Sequence, residues 1–249
     1  MSRNFELLQQ IGKEQEIFQS AVPSRDAFEE PTALPPFPPV FDKAGVDEVT
    51  GLVQRVFLVS GEETPRTVVF AGTEAGNGCT WLCARAAEAL ASRVSGSVCM
   101  VDANLRAPRL HEQTGIPNHH GLSDALLDPS PMSGFATQLS PNLWIVSCGS
   151  AVEKAEGLLT SSRMQARLSE LRSIFKYVLV DASAMNVSRE AVVLGTASDG
   201  VILILKANSS RKETARGAVR ELQAAKVRVL GAVLNQRTFP IPQSIYSKL

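Results

Sequence analysis

The sequence is poor in tyrosine, sparing in cysteine, without net charge and without a long apolar run. Lysine plus arginine equals aspartate plus glutamate at 25 each, so no overall field draws the chain to nucleic acid or anionic lipid. The basic residues Arg211, Lys212, Arg216 and Arg220 follow helical spacing and read as a solvated face. No apolar stretch approaches the roughly 20 residues that cross a bilayer. The start, MSRNFELLQQ, breaks its apolar residues with polar and charged ones, unlike a secretory signal. The four cysteines (Cys79, Cys83, Cys99 and Cys148) form no CxxC pair, which suits reduced thiols in a chain that is not exported. These absences predict a cytoplasmic protein that binds no nucleic acid.

What is present suits a globular α/β protein. Hydrophobic residues make up 44% and charged ones 20% of 249 residues, enough for one sizeable core or two small ones. Phe5, Leu8, Ile11, Ile17 and Phe18 give residues 1–20 a helical stripe. Six prolines between Pro23 and Pro39 follow, which predicts an extended tether. Residues 1–44 are thus an amphipathic helix plus linker, and residues 45–249 a single domain. Within it a helix is expected over 47–58, burying Val49, Leu52, Val53, Val56 and Phe57. Strands are expected at 67–71, 97–101, 143–147, 177–180, 201–206 and 229–234, with helices at 80–92, 161–175, 189–196 and 211–225. Continuous apolar runs such as VVF and VILIL fit strands covered on both faces. The pattern predicts a doubly wound, mostly parallel sheet.

In such a sheet, ligands bind beyond the carboxyl ends of the strands. The loop there, AGTEAGNGCT, places Gly72, Gly76 and Gly78 between a strand and a helix. One reading is a dinucleotide site: Gly-x3-Gly-x-Gly, with Asp102 ending the next strand near a ribose. The reductases that use this spacing also need a Tyr-x-x-x-Lys pair. Tyr177 has Asp181 four residues on, and Tyr246 heads no such pair. A second reading is a triphosphate loop, which requires Gly-Lys-[Ser/Thr]. Gly78-Cys79-Thr80 keeps the hydroxyl for magnesium and the glycines that let N–H groups wrap a phosphate, but not the lysine. A glycine turn without a ligand is the third.

Further along stand VCMVDANLRAPRLHEQTG, GLSD and FKYVLVDASAMN, and finally LGAVLNQ. In this order, over about residues 45–235, they resemble the cytoplasmic kinase domains of the bacterial tyrosine kinase family that governs capsule and exopolysaccharide synthesis. That family belongs to the deviant Walker group of P-loop NTPases. The resemblance implies ATP or ADP with magnesium as cofactor. Ala75-Gly76-Asn77-Gly78-Cys79-Thr80 stands where the family has Pro-Gly-Glu-Gly-Lys-Ser, and Asp102-Ala-Asn104-Leu-Arg106 where it has Asp-x-Asp-x-Arg. Val178-Leu-Val-Asp181 matches the Walker B strand, and Asn235 the asparagine at the adenine end of the site. By resemblance, then, Gly72, Gly76, Asn77, Gly78, Cys79, Thr80, Arg106 and Asn235 bind nucleotide. Thr80, Asp102 and Asp181 hold magnesium, and Asp102, Asn104 and Asp181 occupy the catalytic positions.

The departures matter as much as the matches. Cys79 for lysine removes a charge-assisted contact of roughly 1.5–3 kcal/mol and a factor on the order of 10²–10³ in the reaction. Asn104 cannot take a proton as the family's second acid can. The tail QRTFPIPQSIYSKL offers only Tyr246, where family kinases are tyrosine-rich, so Tyr246 is either an aromatic anchor or a lone phosphoacceptor. The expected function is a degenerate kinase-like regulator or scaffold of exopolysaccharide synthesis. An active kinase or ATPase, with Arg106 or Arg85 replacing the lysine, and a reductase are the alternatives. Cys79 itself is a small filler or a thiol made acidic by the helix N-terminus. Cys79 and Cys83 are too few ligands for zinc, and His119-His120 reads as a solvated turn.

Resemblance also implies a membrane partner of the chain-length-regulator type, which holds the domain at the inner face of the membrane. It implies homo-oligomeric rings with helix 47–58 at the interface, although EVTGLVQR departs from the family's Glu-x-x-Arg-x-x-Arg.

Overall fold

A computed structural model describes residues 43–58, 64–150, 153, 157 and 159–236. They all lie in the second of the two units into which the chain divides, Pro35–Leu249. The expected N-terminal helix, most of the tether and Tyr246 fall outside the described residues.

The apolar runs become strands β1 (Thr67–Gly72), β2 (Val98–Asp102), β4 (Leu143–Val146), β5 (Tyr177–Ala182), β6 (Gly200–Lys206) and β7 (Val229–Asn235). Every residue of β1, β2 and β5 is buried, as strands covered on both faces require. One strand was not expected. β3 (Thr137–Ser140) is short and half-exposed, and its residues TQLS carry no apolar run. Such a polar strip suits a sheet edge. It pairs antiparallel with β4, and all other pairs are parallel.

The strand order is β3-β4-β2-β5-β1-β6-β7. Here β5 is inserted between β1 and β2, whereas in the dinucleotide fold those two are neighbours. This order overturns the reductase alternative. It also aligns three carboxyl ends: Asp181 registers with Phe70 on one side and with Asp102 on the other. The two acids thus face each other beside the glycine loop.

Helices α1 (Lys43–Phe57), α2 (Cys79–Ala91), α5 (Ser162–Ile174), α6 (Glu190–Thr196) and α7 (Lys212–Ala224) fall within a few residues of expectation. Short helices α3 (Leu110–Thr114) and α4 (Leu122–Ala125) lie in stretches too brief to show a period. Val49, Val53 and Phe57 of α1 are buried as the stripe predicts, with Phe57 edge-on to Tyr177 at 6.0 Å between ring centres.

A groove between α1 and α2 is lined by Val49, Thr50, Arg85 and Glu88, among others. Arg85 is buried there and pairs with Glu88 at 2.9 Å. Burial pushes the Glu88 carboxyl up to about 7, with Arg85 opposing part of the shift. A carboxyl raised on folding contributes stability below its unfolded value of 4.5 and loses it as pH rises through the folded value. The melting temperature is therefore expected to fall between about pH 5 and about pH 8. Glu88→Gln should flatten part of that slope in a thermal melt. An identical slope in the variant would assign the effect to other groups.

Candidate functional site

Residues 72–80 leave β1 and enter α2. Gly76 and Gly78 hold φ values of +82° and +80°, a conformation glycine adopts at no steric cost. At Gly78 a Cβ would also collide with the side chain of Asn235. The loop is strapped down on several sides. Thr73 N–H donates to the Ile204 carbonyl at 3.0 Å, and Met185 N–H donates to the Gly72 carbonyl at 2.9 Å. Buried Asn77 donates through Nδ2 to Thr73 Oγ1 (3.0 Å), the Ile204 carbonyl (2.9 Å) and Ser210 Oγ (3.4 Å). Asn235 Nδ2 in turn donates to the Asn77 carbonyl at 2.9 Å.

Asn77 is therefore a brace that fixes the cradle to the end of β6. Asn77→Ala removes these bonds and leaves the buried Thr73 hydroxyl without its donor, although the Ile204 carbonyl keeps Thr73 N–H and Ser210 Oγ keeps Lys206 N–H, at a cost of about 2 kcal/mol. Differential scanning calorimetry should find the variant melting roughly 4–8 °C lower. A melt unchanged by the substitution would mean the loop keeps its shape without this side chain.

The two acids beneath the loop live differently, although both are fully buried. Asp102 accepts three backbone N–H groups: Oδ1 from Asn104 at 3.1 Å, Oδ2 from Arg109 at 3.1 Å and from Leu110 at 2.9 Å. Its carboxylate shapes residues 103–110. Burial raises its pKa, the nearby Asp181 charge adds to the rise, and the three N–H bonds oppose it. Neither oxygen of Asp181 has a donor in good hydrogen-bond geometry among the described residues; the Thr80 hydroxyl and the Cys79 thiol stand beside it and make only weak, poorly aligned contacts. Burial raises its pKa too, partly offset by the Thr80 hydroxyl and the Cys79 thiol beside it.

Cys79 does not become an acidic thiol. Burial of the sulfur, followed by the Asp181 charge and then Cys83, pushes it well above the ordinary value, which outweighs the pull of the helix N-terminus. No cluster of three or more metal-ligating side chains of the His, Cys, Asp and Glu type occurs among the described residues. His119 and His120 are exposed.

A cavity of about 470 Å³ opens over the loop. It gathers Gly72, Gly76, Asn77, Gly78, Cys79, Thr80, Asn104 and Arg106 from the expected set. Asp102, Asp181 and Asn235 do not line it: the two acids are fully buried beneath it, and Asn235 is occupied at the Asn77 carbonyl. Arg85 does not line it either. Its pairing with Glu88 in the α1–α2 groove corrects the expectation that it could replace the lysine. Asn104 is held by its own loop: Nδ2 donates to the Ala107 carbonyl at 3.1 Å and Oδ1 accepts Ser183 Oγ at 2.9 Å. Trp81, Arg109, Gln113 and Ser183 also line the cavity and were not among the expected residues. Trp81 directly follows the hydroxyl position, and Arg109 lies within the stretch that carries the resemblance. Extending those motifs by one residue past Thr80 and three past Arg106 finds both.

A buried carboxylate without a partner is costly, and a cation relieves it. The Thr80 hydroxyl lines the cavity and Asp181 lies buried directly behind it, oxygen donors of the kind magnesium takes directly or through water, alongside phosphate oxygens. The residues present therefore fit a magnesium-bound phosphate ligand.

Comparison with known proteins agrees with this geometry. The family model described as cellulose biosynthesis protein BcsQ matches residues 66–219. The tyrosine-protein kinase YwqD of Bacillus subtilis is 30% identical over 140 residues, a match spanning 55% of this chain and 59% of that relative. The kinase domain of the Escherichia coli tyrosine kinase ETK superposes with a TM-score of 0.73 at 20% identity, covering 90% of this chain and 89% of that one. Cobyrinic acid a,c-diamide synthase from Mycobacterium smegmatis, solved with ADP and magnesium, gives a TM-score of 0.59 at 17% identity over 68% of this chain and 73% of that one.

Proposed function

This chain belongs to the family of the cellulose biosynthesis protein BcsQ, and on that footing we propose that it is a degenerate, tyrosine-kinase-like P-loop protein. It acts as a regulator or scaffold in exopolysaccharide synthesis. It binds ATP or ADP with magnesium weakly and turns ATP over slowly or not at all. The observation that carries this reading is Cys79. A braced phosphate cradle and a buried, unpartnered Asp181 persist around a neutral thiol where the loop's cation belongs.

Phosphoryl transfer depends on positioning and charge neutralisation. When bound, magnesium supplies positive charge at the phosphate oxygens. Thr80 and, behind it, Asp181 would hold it, and the loop N–H groups would orient the ligand. Nothing in the loop then neutralises the remaining phosphate charge, and Asn104 cannot accept the proton of an attacking hydroxyl. Affinity outlasts catalysis under those conditions. The partner is a membrane protein of the chain-length-regulator type, which anchors the domain at the inner face of the membrane, and the domain assembles with its own copies. No helix among the described residues is long and apolar enough to cross a membrane by itself.

Isothermal titration of the unaltered protein with ATP–Mg²⁺ and ADP–Mg²⁺, beside a phosphate-release assay, tests this. Weak binding with negligible turnover is expected. Brisk turnover with Cys79 in place would establish an active kinase or ATPase instead.

A further inference from the structure

Of the residues lining the cavity, only Arg106 and Arg109 are cationic, and Glu74 is the only acid. The two arginines differ in what already occupies them. Arg106 Nε lies 3.7 Å from Oε1 of buried Glu190, on α6. The Arg109 guanidinium makes no hydrogen bond or ion pair among the described residues. Its backbone, however, is fixed. The Arg109 N–H donates to Asp102 Oδ2, and the residue caps α3. An exposed side chain with five N–H donors, none bonded within the described residues, therefore leaves a fixed point on the wall of the cavity that also holds Cys79 and Thr80.

We propose that Arg109 supplies to bound phosphate the positive charge that a loop lysine otherwise supplies. The ligand is a magnesium-bound nucleoside di- or triphosphate, and the inference rests on the nucleotide reading above. A planar guanidinium that can bind two phosphate oxygens at once suits this task. It approaches from the β2–α3 wall, so the cradle gains its cation from outside the loop. Asp102 takes the role of a positioning residue, because its Oδ2 seats the Arg109 backbone.

A binding cycle decides the matter, with affinity for ADP–Mg²⁺ measured by titration in four proteins: unaltered, Arg109→Ala, Cys79→Lys and the double variant. Arg109→Ala is expected to weaken binding at least about 10-fold in the unaltered background. In the Cys79→Lys background the loss should shrink to less than about 3-fold, because the two cations serve the same phosphate. Arg109→Lys should keep part of the affinity, and the melting temperature should stay put in all Arg109 variants. Arg109→Gln provides the same measurement if the alanine form folds poorly. Unchanged affinity in Arg109→Ala overturns the proposal but leaves the nucleotide reading standing. An equal loss in both backgrounds also overturns it, because Arg109 would then be an independent contact. Absence of any binding by the unaltered protein and by Cys79→Lys overturns both readings.

Discussion

Asp181→Asn is expected to make the ligand-free protein more stable while removing its response to magnesium. The native carboxylate is fully buried and has no donor in good hydrogen-bond geometry among the described residues. The amide keeps the shape and drops the charge. Relief of an unpartnered buried charge is worth about 1–3 kcal/mol, which in a domain of this size raises the melting temperature by roughly 2–4 °C per kcal/mol. The sign depends on pH. Burial raises the Asp181 pKa on folding, so the native protein loses stability as pH climbs through that raised value. Below the ordinary carboxylate range both proteins hold a neutral group and should differ little. The gain should therefore be small in acid and largest above neutrality. Thermal melts with and without ADP–Mg²⁺ check both halves: the unaltered protein should gain stability from the ligand, and the variant should not. A variant that melts lower than the parent in alkaline buffer without magnesium would refute the account of Asp181.

Cys79→Lys carries the second large effect. The ammonium would sit beside the same carboxylate and face the same cavity, since the thiol it replaces is adjacent to Asp181 and lines the loop. Restoring one charge-assisted phosphate contact should tighten nucleotide binding about 10- to 100-fold. The new pair also relieves Asp181, so the ligand-free variant should melt higher than the parent. Turnover should lag behind affinity, because Asn104 remains tied to Ala107 and Ser183 and cannot act as a base. Adding Asn104→Asp to that background is where phosphate release should appear. Equal affinity in parent and variant would mean that charge at this position is irrelevant to binding.

Much of this architecture was legible in the residues. The runs VVF, YVLV and VILIL had to be covered on two faces, and they are the central strands β1, β5 and β6. What periodicity could not show was direction across tertiary space. Arg85 has the right distance from the loop along the chain, but it faces α1 and pairs with Glu88. Cys79 begins a helix, which locally favours a thiolate, but the Asp181 brought there by β5 and the burial around it reverse the sign. The resemblance gives Asn77 a nucleotide contact and Asp102 a magnesium and catalytic position. Their hydrogen bonds, to Ile204 in one case and to residues 104–110 in the other, join segments that no local pattern connects. β3 shows no apolar run, because Leu139 is the one apolar residue among Thr137, Gln138 and Ser140 at an edge.

The edge strand β7 gives the site a further property. Its Gly231, Ala232 and Leu234 are exposed, and Leu234 is 57% accessible, yet its last residue, Asn235, holds the carbonyl of Asn77. An edge strand of the sheet, among the described residues, is thus stitched to the phosphate cradle. Fraying that peels β7 from its carboxyl end removes one strap from the cradle, while the bonds from Asn77 to β6 and from Met185 to Gly72 remain. Whatever zips up the margin, including a neighbouring protein laid along it, makes the cradle firmer.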